Sequence, residues 1–187
     1  MQGGVHPELP LDWYVNLLSE LRRMHQSIAL DCFSPIDIEC IYDVCGMTTL
    51  EVLRQLKDAG MHGLPGGGAE MLVDDVRLDI SPKKGSADNW IRVMKEAQSL
   101  GLTTSATNVF GFGETPRHRI LHMDRIRVMQ DEAHSLGRTG FTSFIAWPVM
   151  LENNSFGTRN KGRNRFVLGA GPIEYLRHVA ISRLFFD

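Results

Sequence analysis

The chain has 187 residues, is 43% hydrophobic and 22% charged, and carries a formal net charge of −2, the profile of a soluble globular protein with enough apolar residues for one core. No apolar run reaches the roughly 18–20 residues of a membrane span, no basic-then-apolar leader is present, and no basic stretch offers a footprint for nucleic acid. The three cysteines, Cys32, Cys40 and Cys45, are too few and too irregular for a disulfide scaffold, so the expectation is a reduced, cytoplasmic protein that handles small molecules.

Asp12 to Met24 places Tyr14, Leu17, Leu18 and Leu21 on one helical face, with Asp12 as the expected N-cap. Ser27 to Phe33 reads as a strand that ends at Ser34-Pro35. Thr48-Thr49-Leu50-Glu51 has the form of a capping box and opens a helix that runs to about Ala59 and stops at Gly60. Gly63 to Pro65 is a weak strand leading into Gly66-Gly67-Gly68. Ser86 to Leu100 predicts a helix with Trp90, Val93, Met94 and Ala97 inward, closed by Gly101.

Leu102 to Phe110 is a threonine-rich strand running into Gly111-Phe112-Gly113. Thr115-Pro116 starts a helix, since threonine caps and proline suits the first helical position, and Gly137 ends it. Phe141 to Trp147 is another strand, and Asn153 to Arg165 reads as a polar loop. Pro172 opens a last helix expected to turn Leu176, Val179, Ala180 and Leu184 to one apolar face.

Strands and helices alternating at about 35–40 residues imply βα units, a parallel sheet and one domain over residues 1–187. A barrel and an open doubly wound sheet both satisfy this rhythm. In either, chemistry collects at the carboxyl ends of the strands, and the unusual residues stand there. Gly3-Gly4, Ser34-Pro35, the run Gly66 to Glu70, the run Gly111 to Thr115 and Trp147-Pro148 each follow a strand or the place of one. Glycines at such turns let backbone N–H groups approach a ligand, or merely permit a tight turn. Glu114 reads either as a first-turn charge complementing the helix dipole or as a rim carboxylate. Arg119, one turn into the following helix, is either solvated or turned back to meet that carboxylate.

Other motifs lead nowhere. His118 and His122 stand four apart on a helix but lack the Glu and third ligand of a zinc site. The C-x7-C-x4-C spacing of the cysteines matches no zinc or iron–sulfur run, so they are expected to be small buried side chains. The glycine runs lack both the Gly-Lys-Ser/Thr of a P-loop and the third glycine of a dinucleotide fingerprint.

Four segments taken together carry a resemblance: Gln2-Gly3-Gly4-Val5-His6-Pro7, Phe33-Ser34-Pro35-Ile36-Asp37-Ile38, Leu64-Pro65-Gly66-Gly67-Gly68-Ala69-Glu70 and Gly111-Phe112-Gly113-Glu114-Thr115. Gln130-Asp131-Glu132 and Gly140 to Pro148 extend it over essentially the whole chain. The sequence resembles the radical S-adenosylmethionine (SAM) enzymes of the futalosine menaquinone pathway and of deazaflavin synthesis, with the cyclase branch nearest. The resemblance implies a partial, TIM-like βα barrel, incomplete in this chain, with SAM set against a 4Fe–4S cluster at its carboxyl-end mouth. It implies that Gly3 and Gly4 meet the methionine amino group and that Glu70 reaches the ribose. Glu114 and Arg119 would line the adenosyl and methionyl ends, while Ser34, Asp37 and Trp147 would face a small-molecule substrate.

The implied chemistry is reductive cleavage of SAM by an electron donor to a 5′-deoxyadenosyl radical, which takes a hydrogen from the substrate ribose before ring closure. The protein positions and shields; the cofactor carries the reaction. Two departures stand out. Asp37 occupies a position where the family usually has glutamate, and the family's C-x3-C-x2-C motif, which belongs upstream of Gln2-Gly3-Gly4, is not in this sequence. The expectation is therefore an internal piece of such an enzyme, without metal ligands of its own and inactive in isolation.

Overall fold

A computed structural model describes residues 1, 6–160, 162 and 168–187. Helix α1 (Leu11–Met24) buries Leu11, Tyr14 and Leu18. Its N-cap position is Pro10 rather than Asp12, which lies in the first turn, where a carboxylate favours the positive end of the helix. Helix α2 (Pro35–Cys45) follows Ser34 and ends on Gly46 in the left-handed conformation. Helix α3 (Thr49–Asp58) opens on the expected capping box, with Thr48 accepting from the Glu51 N–H and Glu51 accepting from the Thr48 N–H. Strand β1 (Gly63–Leu64) is two residues long.

Helix α4 (Asp74–Ile80) and a 3₁₀ turn over Pro82–Lys84 occupy a stretch with no expected element. Helix α5 (Ala87–Ser99), capped by Ser86, buries Trp90, Val93, Met94 and Ala97 as the pattern predicts. Strand β2 (Thr103–Phe110), helix α6 (Pro116–Ser135, capped by Thr115) and strand β3 (Phe141–Pro148) also match their expected spans. Helix α7 (Ser155–Arg159) is a single turn within the segment expected to be a loop, and α8 (Pro172–Phe186) closes the chain.

The sheet is parallel, in the order β1-β2-β3. Gly63 and Leu64 face Thr103 and Thr104, and Ala106 to Phe110 face Phe144 to Pro148. The expected strand over Ser27 to Phe33 shrinks to one parallel bridge between Asp31 and Gly63. It still lies beside β1, through the Cys32 N–H on Gly63 O (3.1 Å) and the His62 N–H on Leu30 O (3.0 Å). Among the described residues, neighbouring strands are thus neighbours in sequence, an order shared by a barrel and by one half of a doubly wound sheet.

Burial alternates along β2. Thr104, Ala106, Asn108 and Phe110 are buried, while Ser105, Thr107 and Val109 are half-buried on the opposite face. A large core joins α1, α2, α3, α5 and the first half of β2, around Leu18, Ile38, Leu53, Leu64, Trp90 and Met94. A second, small cluster of Phe110, Val149 and Ala170 lies at the far end of the sheet.

Helix α8 reverses expectation. Leu176 and Leu184 are 67% and 82% exposed and Val179 is also exposed, whereas His178 and Ser182 are buried. The cause is polar: His178 hydrogen-bonds Asn108 and packs at a tilt against Phe110, so the face that docks on β2 is the one carrying the imidazole. The cysteines are free; Cys32 is buried and Cys40 and Cys45 are half-buried. Among the described residues, no helix is long and apolar enough to cross a membrane.

Candidate functional site

The run after β1 leaves the ladder and is held by side chains instead. The Gly66 N–H donates to Ser105 Oγ (3.2 Å) and Thr107 Oγ1 donates to Gly66 O (2.5 Å), so the half-buried hydroxyls of β2 take over from backbone pairing. A Cβ on Gly66 would lie 2.1 Å from the Ser105 carbonyl oxygen, which excludes any side chain there. Gly68 has φ +79°, and a Cβ on it would lie 2.5 Å from Ile36. That contact sets the start of α2, with Ser34 and Asp37, beside the glycine run. Trp90 Nε1 donates to Gly67 O (3.2 Å), tying the run to the large core.

Arg77 fixes the end of the run. Its fully buried guanidinium donates to Gly68 O (2.9 Å), Ala69 O (2.6 Å), Lys84 O (2.9 Å) and Gly85 O (2.8 Å). The planar fork of five donors suits such convergent carbonyls. Glu70 then adopts φ +47°, a left-handed conformation that costs a non-glycine residue about 1–2 kcal/mol. Its carbonyl is anchored twice, by the Val109 N–H and by Asn108 Nδ2, each at 2.8 Å. Its side chain is 15% exposed, and its carboxylate meets Lys84 Nζ through Oε1.

The turn after β2 closes on itself. Glu114 Oε1 and Oε2 accept the Gly111 N–H (2.9 and 3.0 Å), and Oε2 also accepts the Phe112 N–H (2.7 Å). Arg119 does turn back, placing Nε 2.7 Å from Glu114 Oε1 with the carboxylate wholly buried. Arg119 also donates to Gly169 O (2.8 Å) and lies 4.8 Å over the Phe110 ring. Glu114 is therefore not a first-turn dipole charge; it is the internal acceptor that shapes its own loop.

Ser34 and Asp37 come together, Ser34 Oγ donating to Asp37 Oδ2 at 2.7 Å. Trp147 is 54% exposed and pairs in register with Val109, so it shares the sheet face of Ser105 and Thr107, over which the glycine run lies. Gly3 and Gly4 lie outside the described residues. His118 serves the Thr115 cap and does not join His122, which is buried and accepts the Leu72 N–H at Nδ1 (2.9 Å). That acceptance puts the proton on Nε2, which has no hydrogen-bond partner among the described residues.

Burial, helped by the charge of His178, pushes His122 down to about 3. Burial and the Arg119 charge push His178 down to about 4. Both rings are neutral near pH 7. Arg77, Lys84, Asn108 and His178 were not expected as site residues. Only Asn108, polar on the buried period of β2, left a signal in the sequence.

The radical SAM superfamily profile matches residues 1–126. Cyclic dehypoxanthine futalosine synthase of Halalkalibacterium halodurans is 40% identical over 187 residues, all of this chain and 47% of that protein. Aminodeoxyfutalosine synthase of Thermus thermophilus is 33% identical over 187 residues, again all of this chain and 48% of that protein. 5-Amino-6-(D-ribitylamino)uracil–L-tyrosine 4-hydroxyphenyl transferase of Archaeoglobus fulgidus is 34% identical over 184 residues, 98% of this chain and 50% of that protein. The chain spans about half the length of the curated relatives it matches.

Proposed function

The chain belongs to the radical SAM superfamily, and on that premise we propose that it is part of a TIM-like barrel enzyme that cyclises dehypoxanthine futalosine in menaquinone biosynthesis. The observation that carries the reading is the rim after β1. There Glu70 is held in a strained turn by Arg77, Asn108 and Val109, with its side chain 15% exposed and its carboxylate paired with Lys84. A strained, over-determined residue at a strand end is the signature of a prepared site. The 40% identity to the cyclic dehypoxanthine futalosine synthase across the whole chain supports that substrate over those of the other two relatives.

The rim fits SAM in the chemistry of its donors and acceptors. Glu70 offers a carboxylate oxygen to the ribose hydroxyls, beside a glycine run in which Gly66 against Ser105 and Gly68 against Ile36 leave no room for side chains. Glu114 and Arg119 act through the loop they close, which forms the neighbouring wall. Trp147, exposed on the same sheet face, and the Ser34–Asp37 pair at the start of α2 face the substrate.

The described residues do not fit an iron–sulfur cluster. No group of three or more metal-ligating side chains is gathered among them. When bound and reduced, SAM supplies the hydrogen-abstracting power; the residues of the rim bind, orient and exclude water. The test is anaerobic incubation of the protein as the cell makes it with SAM, a low-potential reductant and dehypoxanthine futalosine, with the products read by mass spectrometry. Cyclic dehypoxanthine futalosine is the expected product. Turnover only of a substrate belonging to one of the other two relatives moves the assignment within the superfamily. SAM binding without turnover of any of them reduces the protein to a binding role.

A further inference from the structure

We propose that His178, on the last helix and on the far side of the sheet from the rim, is a positioning residue for Glu70 and acts through Asn108. The inference rests on the reading of Glu70 as the ribose-facing carboxylate. His178 Nε2 lies 2.8 Å from Asn108 Oδ1, and Asn108 Nδ2 donates to Glu70 O at 2.8 Å. His178 and Asn108 are 2% and 0% exposed, so no water competes for either bond. A carbonyl can only accept, so Glu70 O must face the amide nitrogen of Asn108. The amide oxygen is then turned to His178, whose Nε2 must carry a proton to meet it.

The series is directional, and its far end is a residue whose backbone needs holding. Glu70 is one of three non-glycine residues with positive φ among those described, and its carbonyl bonds are what over-determine that conformation. Without the imidazole, Asn108 Oδ1 is a buried acceptor that has lost its donor, and the side chain is released to shift from the position in which Nδ2 meets Glu70 O. Phe110, tilted against the ring at 4.5 Å between centroids, keeps the imidazole in place. The docking of α8 therefore sets the aim of a carboxylate across the sheet.

A purely structural histidine would affect every ligand alike, whereas a residue that aims Glu70 affects recognition of the ribose hydroxyls. Adenosine and 2′,3′-dideoxyadenosine are titrated by calorimetry into the protein as the cell makes it and into three variants. Wild type is expected to prefer adenosine by about tenfold or more, as one or two hydrogen bonds to a charged acceptor imply. Glu70→Gln is expected to shrink that preference. His178→Phe, which keeps the bulk and the ring contact with Phe110, should shrink it to the same degree while leaving dideoxyadenosine affinity within about twofold. His178→Gln, which restores an N–H donor, should recover most of it.

Equal weakening of both nucleosides in His178→Phe, or a preference that survives in it while Glu70→Gln loses its own, would overturn the positioning role and leave the ribose reading standing. No preference in wild type, or a preference indifferent to Glu70→Gln, would overturn the ribose reading and this inference with it. Should His178→Phe not fold, Asn108→Ser, too short to span from His178 to Glu70, makes the same comparison.

Discussion

The loop after β1 and the loop after β2 both end on a glutamate, and the two carboxylates are engaged in opposite ways. Glu114 turns inward, accepting two N–H groups of its own loop and the Arg119 guanidinium, and is wholly buried. Glu70 sits in a loop held from outside by Ser105, Thr107, Asn108 and Arg77, and its carboxylate meets Lys84 alone among the described residues. A carboxylate saturated by its own loop builds a wall. One whose backbone is held by distant residues, with Lys84 on one oxygen, leaves the other oxygen without a partner among the described residues. Motif spacing cannot tell the two apart, since each is simply a glutamate behind a glycine run.

The largest expected effect breaks the wall. Glu114→Ala should lower stability by about 3–5 kcal/mol, because it leaves the nearly buried Arg119 guanidinium with only its longer 3.6 Å ion pair to Glu174 and leaves two loop N–H groups without acceptors. The denaturant midpoint measures it, and a loss below about 1 kcal/mol would mean that the loop does not depend on the carboxylate. Gly66→Ala should cost about 1–3 kcal/mol, since the new methyl would collide with the Ser105 carbonyl. An alanine tolerated without a shift in midpoint would show that the run after β1 is not pinned against β2.

Acid should find the buried imidazoles. His122 and His178 titrate at about 3 and about 4 in the fold, against about 6.5 in an unfolded chain. Between those values the unfolded state binds more protons, so stability is complete above about pH 6.5 and falls as pH drops towards 4. Each ring should contribute about 1 kcal/mol per pH unit within that window. His122→Gln and His178→Gln should each flatten the slope of midpoint against pH, and unchanged slopes would contradict the neutral assignment.

Glu70→Gln should cost less than about 1 kcal/mol, because the Lys84 pair is partly exposed, so its effect should appear in ligand binding rather than in stability. A stability loss as large as that of Glu114→Ala would abolish the contrast between the two loops. The smallest effect belongs to the outer face of α8. Leu176→Ser should lie within about 0.5 kcal/mol, since the side chain is 67% exposed.

Where local chemistry decides, the sequence was readable. The capping box at Thr48, the helix start at Thr115-Pro116 and the threonine-rich β2 appear as expected. The same logic applied to Ser34-Pro35 would have found α2, since a hydroxyl residue followed by proline opens that helix as it opens α6. Helix α4 is seven residues with three aspartates, too short to persist alone; its arginine ties it to the glycine run, a contact visible only in three dimensions. The strand expected over Ser27 to Phe33 pairs by one bridge, because β1 beside it is only two residues long.

Helix α8 shows the limit of periodicity most clearly. Its aliphatic stripe is real but points outward, and a buried hydrogen bond from His178 to Asn108 selects the other face. Of the residues expected at the site, Glu114 and Arg119 were legible as a pair. Glu70 was legible only as a position, and the residues that hold it were not, because they converge from α4, β2 and α8.

The most direct test of the contrast between the two glutamates is a crystal structure of the protein with SAM bound. It should show the ribose hydroxyls within hydrogen-bond distance of Glu70, with Glu114 still closed on Gly111, Phe112 and Arg119. A ribose seated elsewhere, with Glu70 and Lys84 undisturbed or with Glu114 opened towards the ligand, would contradict the account.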